Sequence, residues 1–188
     1  GIDSIKQLKL LSRKAFEESI GFTLGKQNLL ITFHPVTLED GTAQEQMSHL
    51  LQALDLLAGT HFLFTKSNAD TNGRIINQMI DDYVASHMDK ACVHTSLGQV
   101  RYLSALQYMD GVVGNSSSGL LEAPSFRIGT INIGDRQRGR VKAESVIDCD
   151  ETEAGIQNAL ESLFSQPFRD RVKTVVNPYG EGGTAKKI

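Results

Sequence analysis

Between Asn28 and Cys149 the chain repeats one two-part pattern: a short run of β-branched and other apolar residues, then about a dozen residues with helical spacing. Strands that alternate with helices are joined by crossovers, and crossovers make neighbouring strands parallel. The candidate strands are LLITF (29–33), HFLFT (61–65), ACVHT (91–95), GVVG (111–114), TINIG (130–134) and SVIDC (145–149). Helices are expected over 42–57, 73–87, 99–108, 117–124 and 151–164, with a further one over 167–175. Six parallel strands make one α/β, doubly wound Rossmann-like sheet. Ahead of them, Ile5, Leu8, Leu11 and Phe16 roughly follow helical spacing.

Size and charge limit what such a sheet can serve. At 188 residues the chain accommodates one core, burying about 70% of its unfolded surface, and leaves no room for a second full domain. Lys and Arg number 19 against 22 Asp and Glu, a net charge of −3. So even a balance gives no broad reason to bind nucleic acid or an anionic membrane, and any anion must be held locally. No apolar run approaches the roughly 18 residues of a membrane span, and the opening residues lack the long apolar core of a secretory signal. The expected location is cytoplasmic. Cys92 and Cys149 lack CxxC spacing and a His that would complete a metal set, so both are expected to be small buried hydrophobes.

In an open doubly wound sheet, ligands sit outside the carboxyl ends of the strands. The polar loops there are FHPVTLE, TKSNADTNG, GNSSSGLLEAPSF and NIGDRQRGR. The third carries the strongest signal. Ser116, Ser117 and Ser118 stand between Gly114-Asn115 and Gly119, where a strand ends and a helix is expected to start. First-turn N–H groups and hydroxyls can hold a phosphate, although one serine would also serve as an ordinary helix cap. Glu122 would repel a phosphate at contact distance, so its partner is expected to be a pair of neutral hydroxyls, as on a ribose; an exposed Glu on a helix is the plainer alternative.

Arg136 is nearest a strand end among Arg136, Arg138 and Arg140, and is the one expected to meet a ligand; the other two read as a solvated basic loop. His34 ends the first strand, with Pro35 enforcing an extended exit, and suits phosphate donation or proton transfer. His49, His61, His87 and His94 read as structural or surface groups. Asn68, Asp70 and Asn72 suit either a ligand or local turns. G-x-G-x-x-G, a P-loop and G-x-S-x-G are all absent.

Taken together, FHPVTLE, GNSSSGLLEAPSF, NIGDRQRGR and the tail NPYGEGG resemble the C-terminal half of UDP-N-acetylglucosamine 2-epimerases, most closely the hydrolysing branch. NSSSG stands where non-hydrolysing relatives carry a D-S-G-G type of turn, and H-P-V-T replaces their H-R-R-E-N. The resemblance implies one of two Rossmann domains of a glycosyltransferase-B-type fold, residues 1–188 being the C-terminal nucleotide-sugar domain and the N-terminal domain lying outside this chain. It implies that Ser116 and Ser117 hold a diphosphate with Arg136 and His34. Glu122 would hold the ribose, the Leu97 backbone with Tyr102 would frame the uracil, and Asn68 would be a further contact. The implied reaction expels UDP with loss of the C2 proton, then adds water to release N-acetylmannosamine. His34 is the one catalytic candidate of this chain, the carboxylates belonging mostly to the other domain. No metal, no nicotinamide and no other cofactor are implied, and neither nucleic acid nor membrane is an expected partner. Homo-oligomerisation of the full-length protein stays open, as do two alternatives: an acceptor-using glycosyltransferase and a non-enzymatic nucleotide-sugar-binding module.

Overall fold

The computed structural model describes residues 8–35, 40–67 and 71–180, apart from the side chains of Asp40, Thr71 and Asn72. Six strands, β1 (Gln27–Thr32), β2 (Thr60–Thr65), β3 (Ala91–His94), β4 (Gly111–Gly114), β5 (Gly129–Ile133) and β6 (Val146–Cys149), form one sheet. Its order is β3-β2-β1-β4-β5-β6 and every pairing is parallel. This is the doubly wound arrangement anticipated from the alternating pattern. The chain starts in the middle of the sheet, winds outward to β3, then returns across β1 to β4, so the order reverses between β1 and β4.

Each central strand buries both faces, and the period of two divides its residues between two cores. Leu29, Ile31 and Phe33 join Phe62, Phe64, Val113, Ile131 and Leu160 on one side, while Leu30, Leu63 and Val112 join Phe16, Leu103 and Leu106 on the other. The first core is covered by α2 (Asp40–Asp55), α3 (Thr71–Ser86), α6 (Glu153–Leu163) and α7 (Gln166–Val172); α1 (Arg13–Ile20) and α4 (Gly98–Leu106) cover the second.

The helical spacing before Phe16 overstates the first helix. It starts at Arg13, capped by Ser12 Oγ on Ala15 N–H, and Leu8, Leu10 and Leu11 pack on the second core from a non-helical segment. Tertiary hydrogen bonds claim that backbone: Leu11 N–H donates to Ser104 Oγ at 2.9 Å, and Leu11 O accepts from the Tyr108 hydroxyl at 2.7 Å. Ile5 lies outside the described residues. The cysteines also depart from expectation, being half-buried rather than buried. They lie on β3 and β6, the two edge strands, where coverage is incomplete. Burial still pushes both thiols up to about 12.

Among the described residues, no helix is long and apolar enough to cross a membrane.

Candidate functional site

A cavity of about 420 Å3 opens at the carboxyl ends of β1 to β4. It is lined by Thr32, Thr65 and Lys66 at the ends of β1 and β2, by residues 95–99 and Tyr102 at the start of α4, and by Ser116, Ser118 and Glu122 after β4. That volume lies in the range of small-molecule sites. A cavity of similar size, about 410 Å3, sits at the amino ends of β4 and β5 among Met109, Arg127 and Phe168, and contains none of the residues singled out from the sequence.

The turn after β4 is held by backbone geometry and by Asn115. Gly114 has φ 144°, and a Cβ there would stand 1.8 Å from Thr32 O, so only glycine lets β4 lie this close to β1. Asn115, buried at 1% exposure, accepts from His34 N–H with Oδ1 and donates to His34 O with Nδ2, both at 2.8 Å. Its own carbonyl receives Arg136 Nη1 at 3.0 Å and Gln137 Nε2 at 2.9 Å. One residue therefore ties the loops after β1, β4 and β5 together at the point where strand order reverses.

The helix expected over 117–124 is a single turn, α5 (Ser118–Leu121), followed by a 3-10 turn, Ala123–Phe126. Pro124 has no N–H to continue the α ladder. With one turn there is little macrodipole, so hydroxyls and local N–H groups must do what a longer helix would share. Glu122 accordingly sits at the C-cap of this turn and lines the cavity. Asn177, from the tail motif, braces the turn from outside by donating to Leu121 O at 2.9 Å and Ser125 Oγ at 2.7 Å.

Four of the residues picked from the sequence, Leu97, Tyr102, Ser116 and Glu122, meet around the cavity. The Leu97 carbonyl is already taken by Arg101 Nε at 2.8 Å. His34 and Arg136 are not among the residues that line the cavity; they lie close enough to interact electrostatically, and both bond to Asn115, the neighbour of Ser116. Burial and then the Arg136 charge push the His34 imidazole below its ordinary value, and its Nδ1 is 3.2 Å from Ser67 Oγ. Ser117 begins the turn without making a side-chain cap bond, and Ser118 rather than Ser117 faces the cavity. Asn68 and Asp70 lie outside the described residues, as does the Asn72 side chain. The other four histidines each bond a backbone carbonyl, of Glu151, Thr23, Tyr83 and Ile20, as structural histidines do.

Sequence reasoning passed over Ser118, Asn115, Lys66 and the threonines. Thr32 and Thr65 are register partners whose hydroxyls meet at 2.6 Å, and Lys66 Nζ pairs with Asp81 at 3.1 Å. The signal available was position, since each follows or ends a strand on the carboxyl edge. Burial raises the Glu122 carboxyl above its ordinary value. The wall thus offers many hydroxyls, one carboxylate and one ammonium, a set suited to a ligand with its own hydroxyls and phosphates. Among the described residues no three His, Cys, Asp or Glu side chains gather as a metal set.

A parallel doubly wound sheet with a hydroxyl-lined cavity at its carboxyl edge defines a Rossmann-like domain. The C-terminal domain of a group 1 family glycosyl transferase from Francisella tularensis has a similar fold, with TM-score 0.60 and 15% identity over 95% of both chains. Residues 1–188 match the UDP-N-acetylglucosamine 2-epimerase family along their whole length, and the chain belongs to that family. It is 38% identical over 165 residues to the GDP/UDP-N,N'-diacetylbacillosamine 2-epimerase (hydrolyzing) of Campylobacter jejuni, covering 88% of this chain and 42% of that protein. To the Escherichia coli polysialic acid biosynthesis protein P7 it is 35% identical, covering 95% and 45%. A Neisseria meningitidis UDP-GlcNAc 2-epimerase solved with UDP-GlcNAc shares the fold at TM-score 0.74 and 17% identity, covering 99% of this chain and 50% of that one. The chain spans about half the length of the curated relatives it matches. The resemblance read from three loops and the tail is thereby borne out.

Proposed function

We propose that the chain is the nucleotide-binding, C-terminal half of a hydrolysing UDP-sugar 2-epimerase. The observation that carries this is the convergence of Leu97, Tyr102, Ser116 and Glu122 on one cavity, with His34 and Arg136 both bonded to Asn115, the neighbour of Ser116, in a chain of the epimerase family. Ser116, Ser117, Arg136 and His34 hold the diphosphate. Glu122 accepts from the ribose hydroxyls, the Leu97–Tyr102 segment frames the uracil, and Asn68 adds a contact. Support for UDP comes also from related folds solved with UDP in Staphylococcus aureus and with UDP-GlcNAc in Neisseria meningitidis.

The reaction removes the C2 proton and expels UDP, then adds water to the resulting glycal and releases N-acetylmannosamine. It calls for a base, an acid and stabilisation of the leaving diphosphate. This chain supplies the last, and His34 is its one direct participant: an imidazole kept neutral by burial and Arg136 can donate to the departing phosphate oxygen through its N–H. The remaining acid–base groups belong to the N-terminal domain. The protein works in the cytoplasm and needs no metal.

The Campylobacter and Legionella relatives are named for N,N'-diacetylbacillosamine. That favours a second reading, in which the sugar is UDP-N,N'-diacetylbacillosamine and the chemistry is unchanged. Incubating the full-length protein with each UDP-sugar and no acceptor decides. Release of UDP with the 2-epimeric free sugar supports the epimerase and names its substrate; release only when an acceptor is added points to a transferase, and none at all to a binding module. Calorimetry with UDP against AMP tests the nucleotide site, and equal affinity or no binding of either removes the uridine assignment.

A further inference from the structure

Three hydroxyls run in line along one wall of the cavity. Tyr102, on α4, donates its hydroxyl proton to Ser118 Oγ. Ser118 Oγ lies 3.1 Å from Ser116 Oγ, and Ser118 N–H donates to Ser116 Oγ at 3.3 Å. All three side chains line the cavity.

Proton arithmetic sets the direction of this chain. Three hydroxyls carry three protons, and the two oxygen–oxygen contacts consume two of them. Burial, with the Glu122 carboxylate nearby, keeps the phenol well above its usual titration range, so Tyr102 stays a donor. Ser118 is the acceptor its proton has among the described residues. The contact between the serines uses the second proton, whichever of them gives it. The third proton stays on Ser116 or Ser118, at the cavity wall, with no acceptor there among the described residues. The two serine oxygens have four lone pairs, of which the Tyr102 proton, the contact between the serines and the Ser118 N–H take three; without the Tyr102 hydroxyl a second lone pair would be left free at the wall.

We infer that Tyr102 is a positioning residue which, acting through Ser118, holds the Ser116–Ser118 pair as a hydrogen-bond donor, so that this wall selects phosphate oxygens of a nucleoside diphosphate. Such oxygens only accept and can use the free proton, whereas an ammonium must donate and finds one lone pair where two would otherwise be open. The inference rests on the proposed nucleotide site and assigns one wall of it to the diphosphate. It also gives the Tyr102 hydroxyl a task separate from any packing of its ring against a base.

The test compares UDP, uridine and inorganic pyrophosphate on wild-type protein and on Tyr102→Phe, Ser118→Ala and Ser118→Thr, by calorimetry or ligand-observed NMR. Tyr102→Phe and Ser118→Ala should each weaken UDP and pyrophosphate about ten-fold, the size of one lost hydrogen bond to a charged group, and leave uridine within about two-fold. Ser118→Thr, which keeps the hydroxyl, should restore binding. Ser118→Ala breaks the chain without touching the ring, so it stands in if Tyr102→Phe does not fold. Equal weakening of uridine and UDP, or unchanged UDP and pyrophosphate, would overturn the inference. Wild-type protein that binds pyrophosphate as tightly as UDP would remove the uridine reading while the variants still decide on the hydroxyl chain. Folded wild-type protein that binds neither would overturn both.

Discussion

At position 115 a single amide holds the backbone of His34 from both sides and offers its own carbonyl to Arg136 and Gln137. Asn115→Asp would set a carboxylate oxygen against His34 O where an N–H now donates. Leaving that buried acceptor unpaired should cost about 1–3 kcal/mol, read as a lower urea midpoint, and should weaken UDP binding as His34 and Arg136 lose their common tether. Glu122 has the opposite balance. Burial raises its carboxyl, so the folded state binds the proton more tightly than the unfolded chain does. Its contribution to stability is therefore greatest below the ordinary carboxylate value and is lost as pH rises through the raised one. Glu122→Gln should melt higher than wild type at pH 7 and close to it at pH 4. The same substitution should weaken UDP about ten-fold, since a charged acceptor for the ribose is gone. A variant that loses stability at pH 7 while binding UDP normally would reverse the assignment.

The elements that build the site are joined where side chains are small. Gly114 pairs with Thr32 in the β1–β4 register, and its positive φ directs Asn115 back toward the β1 loop. Gly114→Ala brings a Cβ into the Thr32 carbonyl and strains the backbone as well, so destabilisation of more than about 3 kcal/mol is expected, seen in thermal or urea denaturation. A fully stable alanine variant would mean that the two strands can part without cost. Thr152 Oγ1 starts α6 by accepting from Gly155 N–H at 3.0 Å, the short polar side chain before the helix serving as its cap. Short α5 shows the limit of such signals, because one proline converted an expected helix into a single turn and a 3-10 turn.

The molecule as a whole is a sheet covered on both faces, with its ligand edge open. In the proposed two-domain protein a partner domain closes that edge, and closure supplies what a lone Rossmann domain lacks. Orienting sugar against base can account for roughly 7–11 kcal/mol of barrier reduction, and C2 deprotonation needs a preorganised, water-poor site. The 188-residue chain by itself should therefore bind UDP yet form no measurable N-acetylmannosamine or other 2-epimeric sugar from a UDP-sugar. His34→Ala should slow turnover in the full-length protein and at most weaken UDP in the chain alone. Robust epimerisation by the purified 188-residue chain would overturn the placement of the catalytic base in another domain.

Strand identity, strand direction and the edge that carries the polar loops follow from the sequence alone, because a parallel sheet imposes a local and repeated signature: short apolar runs, crossover helices, polar residues just past each strand. Ser116 and Glu122 could be found that way, since both follow a strand end, whereas Leu97 and Tyr102 were expected only from the family resemblance. The sequence could not determine that Ser116 and Ser118, and not Ser117, line the cavity, nor that Ser118 meets a tyrosine 16 residues away. Nor could it show that Asn115 clamps His34 across 81 residues, or that the segment before Ser12 forsakes its helical spacing for hydrogen bonds to Ser104 and Tyr108. Those outcomes rest on directional polar contacts between segments distant in the chain. Hydrophobic periodicity is summed along a segment and survives in one dimension, whereas a hydrogen bond of 2.8 Å exists only when two loops are brought to the same place by the fold.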